Sequence, residues 1–290
     1  NGAGKSTTIR TLATLQQPDA GTIILNGIDV LADPDSARAC TGYMPDVFGV
    51  YDSLTVGEYL GFYAASYGIP AGRRRTLCDE LLELVDLTDQ RDQTAESLSR
   101  GLKQRLGLAR CLIHDPEVLL LDEPASGMDP RGRIELREIL RELSKLDKTI
   151  LISSTILPEL AAMCTHVGII RAGEMVAEGP VGAVITALSS GPRLRIRVPH
   201  PGEVATALAA LDSDPRCDNV ELEDDHTVIA AFDGTAEDGA AILAQFTTAG
   251  IVVTGFALES GTLEESFLHA TELMLGDAVQ PDDLAPGEDA

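Results

Sequence analysis

Four apolar residues in unbroken succession, Val118-Leu119-Leu120-Leu121, run into Asp122-Glu123-Pro124. A run with no polar alternation fits a strand covered on both faces, and such strands belong to parallel sheets layered with helices. A carboxylate at the C-terminal end of such a strand sits where open α/β sheets take their ligands. Thr149-Ile150-Leu151-Ile152-Ser153 repeats the pattern and reads as a second buried strand. Helices are expected over 7–15, 56–67, 74–85, 131–144 and 157–164, with 53–115 mostly helical. A short strand and tight turn are expected at 21–27, and strands flank the turn Ala172-Gly173. Alternating strands and helices predict an α/β fold with a mostly parallel sheet. With no Trp and 4% aromatics, aliphatic side chains must fill its core.

Ser189-Ser190-Gly191-Pro192 marks a boundary. Beyond it, strands at 194–198, 220–222, 228–232 and 251–258 and helices at 204–211 and 236–249 predict a small α+β domain over 193–275. The segment 276–290 is rich in Pro, Gly and Asp, has no basic residue, and is expected to be disordered. A formal charge of −24 repels phosphate backbones and argues against a nucleic-acid partner. The five cysteines are widely spaced with no C-x-x-C pair, which fits reduced thiols in a cytosolic setting. No apolar run approaches the roughly 18 residues a bilayer span needs, so any membrane link runs through a partner.

Gly2-Ala3-Gly4-Lys5-Ser6 matches the end of the phosphate-loop pattern G-x-x-x-x-G-K-[ST], whose first positions would lie before Asn1. Glycines let backbone N–H groups turn inward around phosphate oxygens, and the following helix adds its positive end. Lys5 would reach the β- and γ-phosphates and Ser6 would ligate Mg2+. Asp122 would hold the same Mg2+ directly or through water, and Glu123 would orient or deprotonate the attacking water.

Between these motifs stands Leu98-Ser99-Arg100-Gly101-Leu102, which resembles the signature loop of ABC ATPases, usually L-S-G-G-Q. Ser126-Gly127-Met128-Asp129 is similar to their D-loop. Gly42-Tyr43-Met44-Pro45-Asp46 stands where the Q-loop belongs, and Ile152-Ser153-Ser154-Thr155 where the switch-histidine segment belongs. The resemblance covers about residues 1–190. The stretch Asp46–Tyr51, and the domain after Pro192, look most like the ATPases of ABC-2-type exporters.

The resemblance implies a P-loop NTPase of ABC ATPase type over 1–190, with a helical subdomain at about 53–115. ATP and Mg2+ are its implied cofactors. Asn1, Gly2, Ala3, Gly4, Lys5, Ser6 and Thr7 belong to the phosphate loop. Ser99, Gly101 and Asp129 are counted with the nucleotide-binding residues, with Ser99 and Gly101 reaching the ATP of a second ATPase subunit in a head-to-tail dimer. The implied function is ATP-driven transport, with export favoured, through a separate membrane permease at the cytoplasmic face of the membrane. The helical region would dock that permease; Tyr59, Phe62, Tyr63 and Tyr67 belong either to the contact or to the core. A soluble ABC ATPase acting on ribosomes or DNA is disfavoured by the single module, the lack of a heptad run and the acidity.

The sequence departs from the family pattern at three places. Asp46 replaces the Q-loop glutamine, and its carboxylate is still a hard oxygen ligand for Mg2+. Arg100 and Leu102 alter the signature loop, and Arg100 either clamps phosphate or faces solvent. Thr155 replaces the switch histidine, and an uncharged, shorter side chain does not easily reach the same γ-phosphate atom. Slow hydrolysis with ATP binding retained is therefore expected, unless a water or neighbour substitutes. This keeps a regulatory or partner subunit as the alternative reading. The resemblance also places a central strand and an adenine-stacking aromatic before Asn1, so the sequence is read as truncated within the phosphate loop. Without that strand, unpaired backbone groups are expected to make the chain unstable or a poor binder of ATP.

Overall fold

A computed structural model describes residues 2–47, 49–51, 53–188 and 191–259. These fall into two compact units, Asn1–Ile156 with Ala172–Glu174, and Leu157–Arg171 with Met175–Ala290. Asn1, Phe48, Ser189, Ser190 and the acidic segment 276–290 singled out above lie outside the described residues.

The first unit opens with α1 (Lys5–Leu12), followed by strands β1 (Ile24–Leu25) and β2 (Ile28–Asp29). These two short strands pair antiparallel around Asn26 and Gly27, both at positive φ, as a two-residue hairpin turn requires. Next come α2 (Pro34–Ala39), β3 (Thr41–Met44), α3 (Val56–Ser66), α4 (Ala71–Leu84), α5 (Arg100–Cys111), β4 (Val118–Asp122), α6 (Pro130–Lys145) and β5 (Thr149–Ser153). Asp33 starts α2 by accepting the Ser36 N–H at 3.1 Å, and a reciprocal Thr55–Glu58 capping box starts α3.

Strands β3, β4 and β5 form a parallel sheet in that order. The central β4 is buried at all five positions, as its apolar run requires. On one side Val118 and Leu120 pack with Ile9 of α1, with Ala13 just after that helix, and with Leu25 and Ala37. That packing lays the first helix along β4, with its N-terminus toward the acidic strand end. The strand β5 departs from expectation: only Ser153 is buried, and Leu151 is 42% exposed. Among the described residues it pairs with β4 alone, and its exposure pattern shows that an apolar run did not here mean two covered faces. Buried Arg105 of α5 joins the helical region to α6: it donates to the Val85 carbonyl at 3.3 Å and pairs with Asp86 and Glu135.

The second unit contains α7 (Leu157–Met163), β6 (His166–Arg171), β7 (Glu174–Pro180), α8 (Val181–Leu188), β8 (Arg193–Arg197), α9 (Pro201–Asp212), β9 (Cys217–Asp224), β10 (Thr227–Phe232), α10 (Ala236–Thr248) and β11 (Gly255–Glu259). The antiparallel sheet β11-β8-β10-β9 carries α9 and α10 as two β-α-β crossovers. Its core gathers Leu194, Ile196, Leu211, Val228, Ile242 and Phe246. The last strand begins at Gly255 rather than at Ile251. Ile251 instead closes α10, donating to the Phe246 carbonyl at 3.0 Å and packing into the core.

Phe246 is 2% exposed. Replacing it with Ala is expected to cost about 3–5 kcal/mol through lost burial and the cavity left behind. Urea unfolding of the full chain measures this; a loss under about 1 kcal/mol would contradict the packing described.

Candidate functional site

The phosphate loop is shaped by its glycines. Gly4 has φ 107°, a left-handed conformation that costs a side-chain-bearing residue dearly, and it directly precedes the first turn of α1. The Ala3 carbonyl accepts the Gly173 N–H at 2.9 Å, which ties down the loop's entry. Gly2 is exposed at φ 77°, and Thr7 is exposed one turn into α1.

Residue 6 and residue 122 meet at this point. Ser6 Oγ donates to Asp122 Oδ1 at 3.1 Å. Ser153 Oγ donates to the same oxygen at 2.5 Å. Asp122 is 2% exposed, so these two hydroxyls stand in for the water its carboxylate has lost. One residue on, Glu123 leaves the strand at φ 50°, an uncommon conformation of the kind found at functional sites. Its N–H is held by the Ser153 carbonyl at 3.1 Å and by the Ser153 hydroxyl at 3.0 Å. Its carboxylate lies 3.9 Å from Lys5 Nζ and accepts the Thr155 N–H at 3.3 Å. Burial pushes the Glu123 carboxyl above its ordinary range. The Thr155 hydrogen bond and the Lys5 charge oppose that shift, while Asp122 and Asp46 reinforce it.

Thr155 is exposed and meets Glu123 through its backbone N–H, so any residue but proline at this position can keep that contact. Asp46 stands with Arg100: Asp46 Oδ1 lies 3.8 Å from the guanidinium and, though shielded from solvent, has no hydrogen-bond partner. Gln104 Nε2 donates to the Asp46 carbonyl at 3.2 Å and fixes that backbone. Arg100 is 58% exposed, in keeping with a solvent-facing side chain. It nonetheless donates to Ser126 Oγ at 2.7 Å and lies across Gly127, where a Cβ would collide with it. Ser99 is exposed and caps α5 by accepting the Leu102 N–H at 3.4 Å. Gly101 lies against Met128, and Asp129 caps α6 through the Gly132 N–H at 3.0 Å. The residues thus form two groups: Ala3–Ser6 with Asp122, Glu123 and Thr155, and Ser99–Gly101 with Asp46 and Ser126–Asp129.

Ser153 was not singled out by sequence reasoning. It reads as the last residue of an apolar strand, and a hydroxyl there carries no spacing signature. Its pairing in register with Asp122 is visible only once β4 and β5 lie side by side.

A hydroxyl and a carboxylate facing each other at a helix N-terminus suit a small hard cation that keeps most of its other ligands from phosphate and water. Asp46 Oδ1, which has no hydrogen-bond partner and lies 3.8 Å from the Arg100 guanidinium, is another carboxylate oxygen of this kind. Among the described residues no cluster of three His, Cys, Asp or Glu is arranged to hold a metal by itself.

Residues 1–126 match the family described as ABC transporter. The chain is 34% identical over 272 residues to the daunorubicin resistance ATP-binding protein DrrA3 of Streptomyces coeruleorubidus, covering 93% of this chain and 84% of that one. It is 38% identical over 210 residues to a Nod factor export ATP-binding protein I of Burkholderia orbicola, covering 72% and 69%. A solved ATP-binding subunit of an ABC transporter superposes with a TM-score of 0.58 at 29% identity, over 64% of this chain and 78% of that one. With the phosphate loop, the acidic strand end and the α/β fold in place, the chain belongs to the ABC transporter family as one of its ATP-binding proteins.

Proposed function

We propose that this chain is the ATP-hydrolysing subunit of an exporter, and that it drives a separate membrane permease from the cytoplasmic face of the membrane. The observation that carries this reading is the 3.1 Å contact between Ser6 and Asp122, which brings together groups 116 residues apart in the chain. In this reading the phosphate loop, Asn1–Thr7, would cradle the triphosphate, Ser6 and Asp122 would hold Mg2+, and Asp46, which stands with Arg100, would join them by turning from that guanidinium. Mg2+ would neutralise charge on the β- and γ-phosphates. Lys5 would bind the γ-phosphate, and Glu123 would hold the attacking water and take its proton.

Ser99, Gly101 and Asp129 would meet the ATP of a second copy in a head-to-tail dimer, and the exposure of Ser99 supports that reading. Residues 1–190 would make up the ATPase domain, with 53–115 as its helical part, and 193–275 the smaller domain. The relatives named for export support the direction of transport. No helix among the described residues is long and apolar enough to cross a membrane, which supports a separate permease. Of the four aromatics, Tyr59 is fully buried, while Phe62 and Tyr67 are about half exposed and remain available for that permease. A weakly hydrolysing partner subunit is the second reading, favoured by Thr155, whose contact with Glu123 is made by the backbone alone.

Glu123→Gln is expected to keep ATP affinity and to lower steady-state hydrolysis about 10²–10⁴-fold, as removal of a general base does. Unchanged hydrolysis would remove Glu123 from the reaction. The same variant tests the electrostatics. The folded-state pKa of Glu123 is raised above 4.5, so the folded chain binds its proton more tightly than the unfolded one. Stability from this group is therefore present below pH 4.5 and is lost as pH rises through the folded pKa. Glu123→Gln should melt above the parent chain at neutral pH and lose that advantage in acid. Thr155→His is expected to hydrolyse ATP markedly faster, and an equal rate would leave Thr155 without a role in slowing the reaction.

A further inference from the structure

We propose that Ser153 is a positioning residue for the acid pair, fixing Asp122 for the metal and Glu123 for the water through one hydroxyl. This rests on the nucleotide reading above and adds to it a residue at the end of β5. A serine hydroxyl has one proton to give and lone pairs to receive. Here the proton goes to Asp122 Oδ1 at 2.5 Å, and the oxygen receives the Glu123 N–H at 3.0 Å. Each bond dictates the direction of the other, so the hydroxyl does not rotate freely.

The site needs that restraint. Glu123 turns out of the strand at φ 50°, where the regular ladder between β4 and β5 stops. Ser153 receives the amide at that turn with both its carbonyl and its hydroxyl. Two residues later the Thr155 N–H holds the other end of Glu123, its carboxylate, at 3.3 Å. The end of β5 therefore grips both the backbone and the side chain of Glu123, and grips Asp122 through the serine. Ser153 is 5% exposed and is the one buried position of an otherwise half-exposed strand. A packing role alone would be served equally well by Ala or Val. The bond from a neutral hydroxyl to a buried carboxylate is charge-assisted, and losing it leaves Asp122 Oδ1 with the 3.1 Å bond from Ser6. Ser6 is itself the other proposed ligand of the metal; it would offer the ion a lone pair while its proton can remain on Asp122. Ser153 is the donor to Asp122 that has no such second task.

The test uses the full chain, a non-hydrolysable ATP analogue and Mn2+ as the probe ion. Analogue affinity is measured in EDTA, and Mn2+ affinity of the analogue complex is read by paramagnetic resonance. Ser153→Ala is expected to leave the metal-free affinity unchanged and to weaken Mn2+ binding about 10–100-fold, the usual loss when a group orienting a metal ligand is removed. Ser153→Thr, which restores the hydroxyl, should return Mn2+ affinity to near the parent value. Unchanged Mn2+ affinity in Ser153→Ala, an equal fall in both arms, or a Thr variant no better than Ala would each overturn the proposal. A Lys5→Ala chain serves as the separate control. If it binds the metal-free analogue as tightly as the parent, the nucleotide reading itself falls, whatever Ser153 does.

Discussion

Asp122 is a carboxylate with almost no access to water at the end of a strand of four apolar residues. Burying such a group costs several kcal/mol unless hydrogen bonds replace its hydration. The hydroxyls of Ser6 and Ser153 supply them, one from the first turn of α1 and one from the neighbouring strand. Much of the first unit's arrangement serves that meeting. The parallel register of β4 with β5 sets Ser153 beside Asp122, and packing of Ile9 and Ala13 against Val118 and Leu120 holds α1 so that Ser6 reaches the same oxygen.

The same arrangement divides the labour between the two acids. Asp122 is held rigidly and shielded, as suits a metal ligand. Glu123 sits one residue past the strand, in a strained backbone conformation, partly exposed, between the Lys5 ammonium and the Thr155 amide. Its burial and its acidic neighbours favour the protonated form, and Lys5 favours the ionised one. A group balanced in this way suits accepting a proton. The contact of Thr155 through its backbone explains how Glu123 keeps its place without an imidazole beside it.

Much of this was legible in the sequence because it rests on local rules. The unbroken apolar run gave β4 its burial, and the helix expected over 56–67 is found as α3 at Val56–Ser66. Lys5, Ser6, Asp122 and Glu123 stand in motifs whose spacing reflects phosphate and metal geometry. What was not legible depends on pairing between distant elements. Burial of β5 was expected from the run Thr149–Ser153, yet coverage depends on what packs over each face, and only Ser153 is buried. Ile251 has the residue type of a strand, but the end of α10 takes it into the core before β11 starts. Ser153 escaped notice because its partners, Asp122 and Glu123, lie 30 residues or more away in the chain. Arg100 was left open between solvent and phosphate; it is 58% exposed, and its bond to Ser126 depends on the fold bringing two loops together.

The central claim is that Ser6 and Asp122 serve one magnesium-bound triphosphate. A double-mutant cycle on Mg-ATP affinity, with Ser6→Ala, Asp122→Asn and the double variant, tests it most directly. If both groups act on one ion, the losses will be strongly non-additive, with a coupling energy above about 1 kcal/mol, as for residues in direct contact. Losses that sum to within about 0.3–0.5 kcal/mol would show two independent sites and would contradict the account.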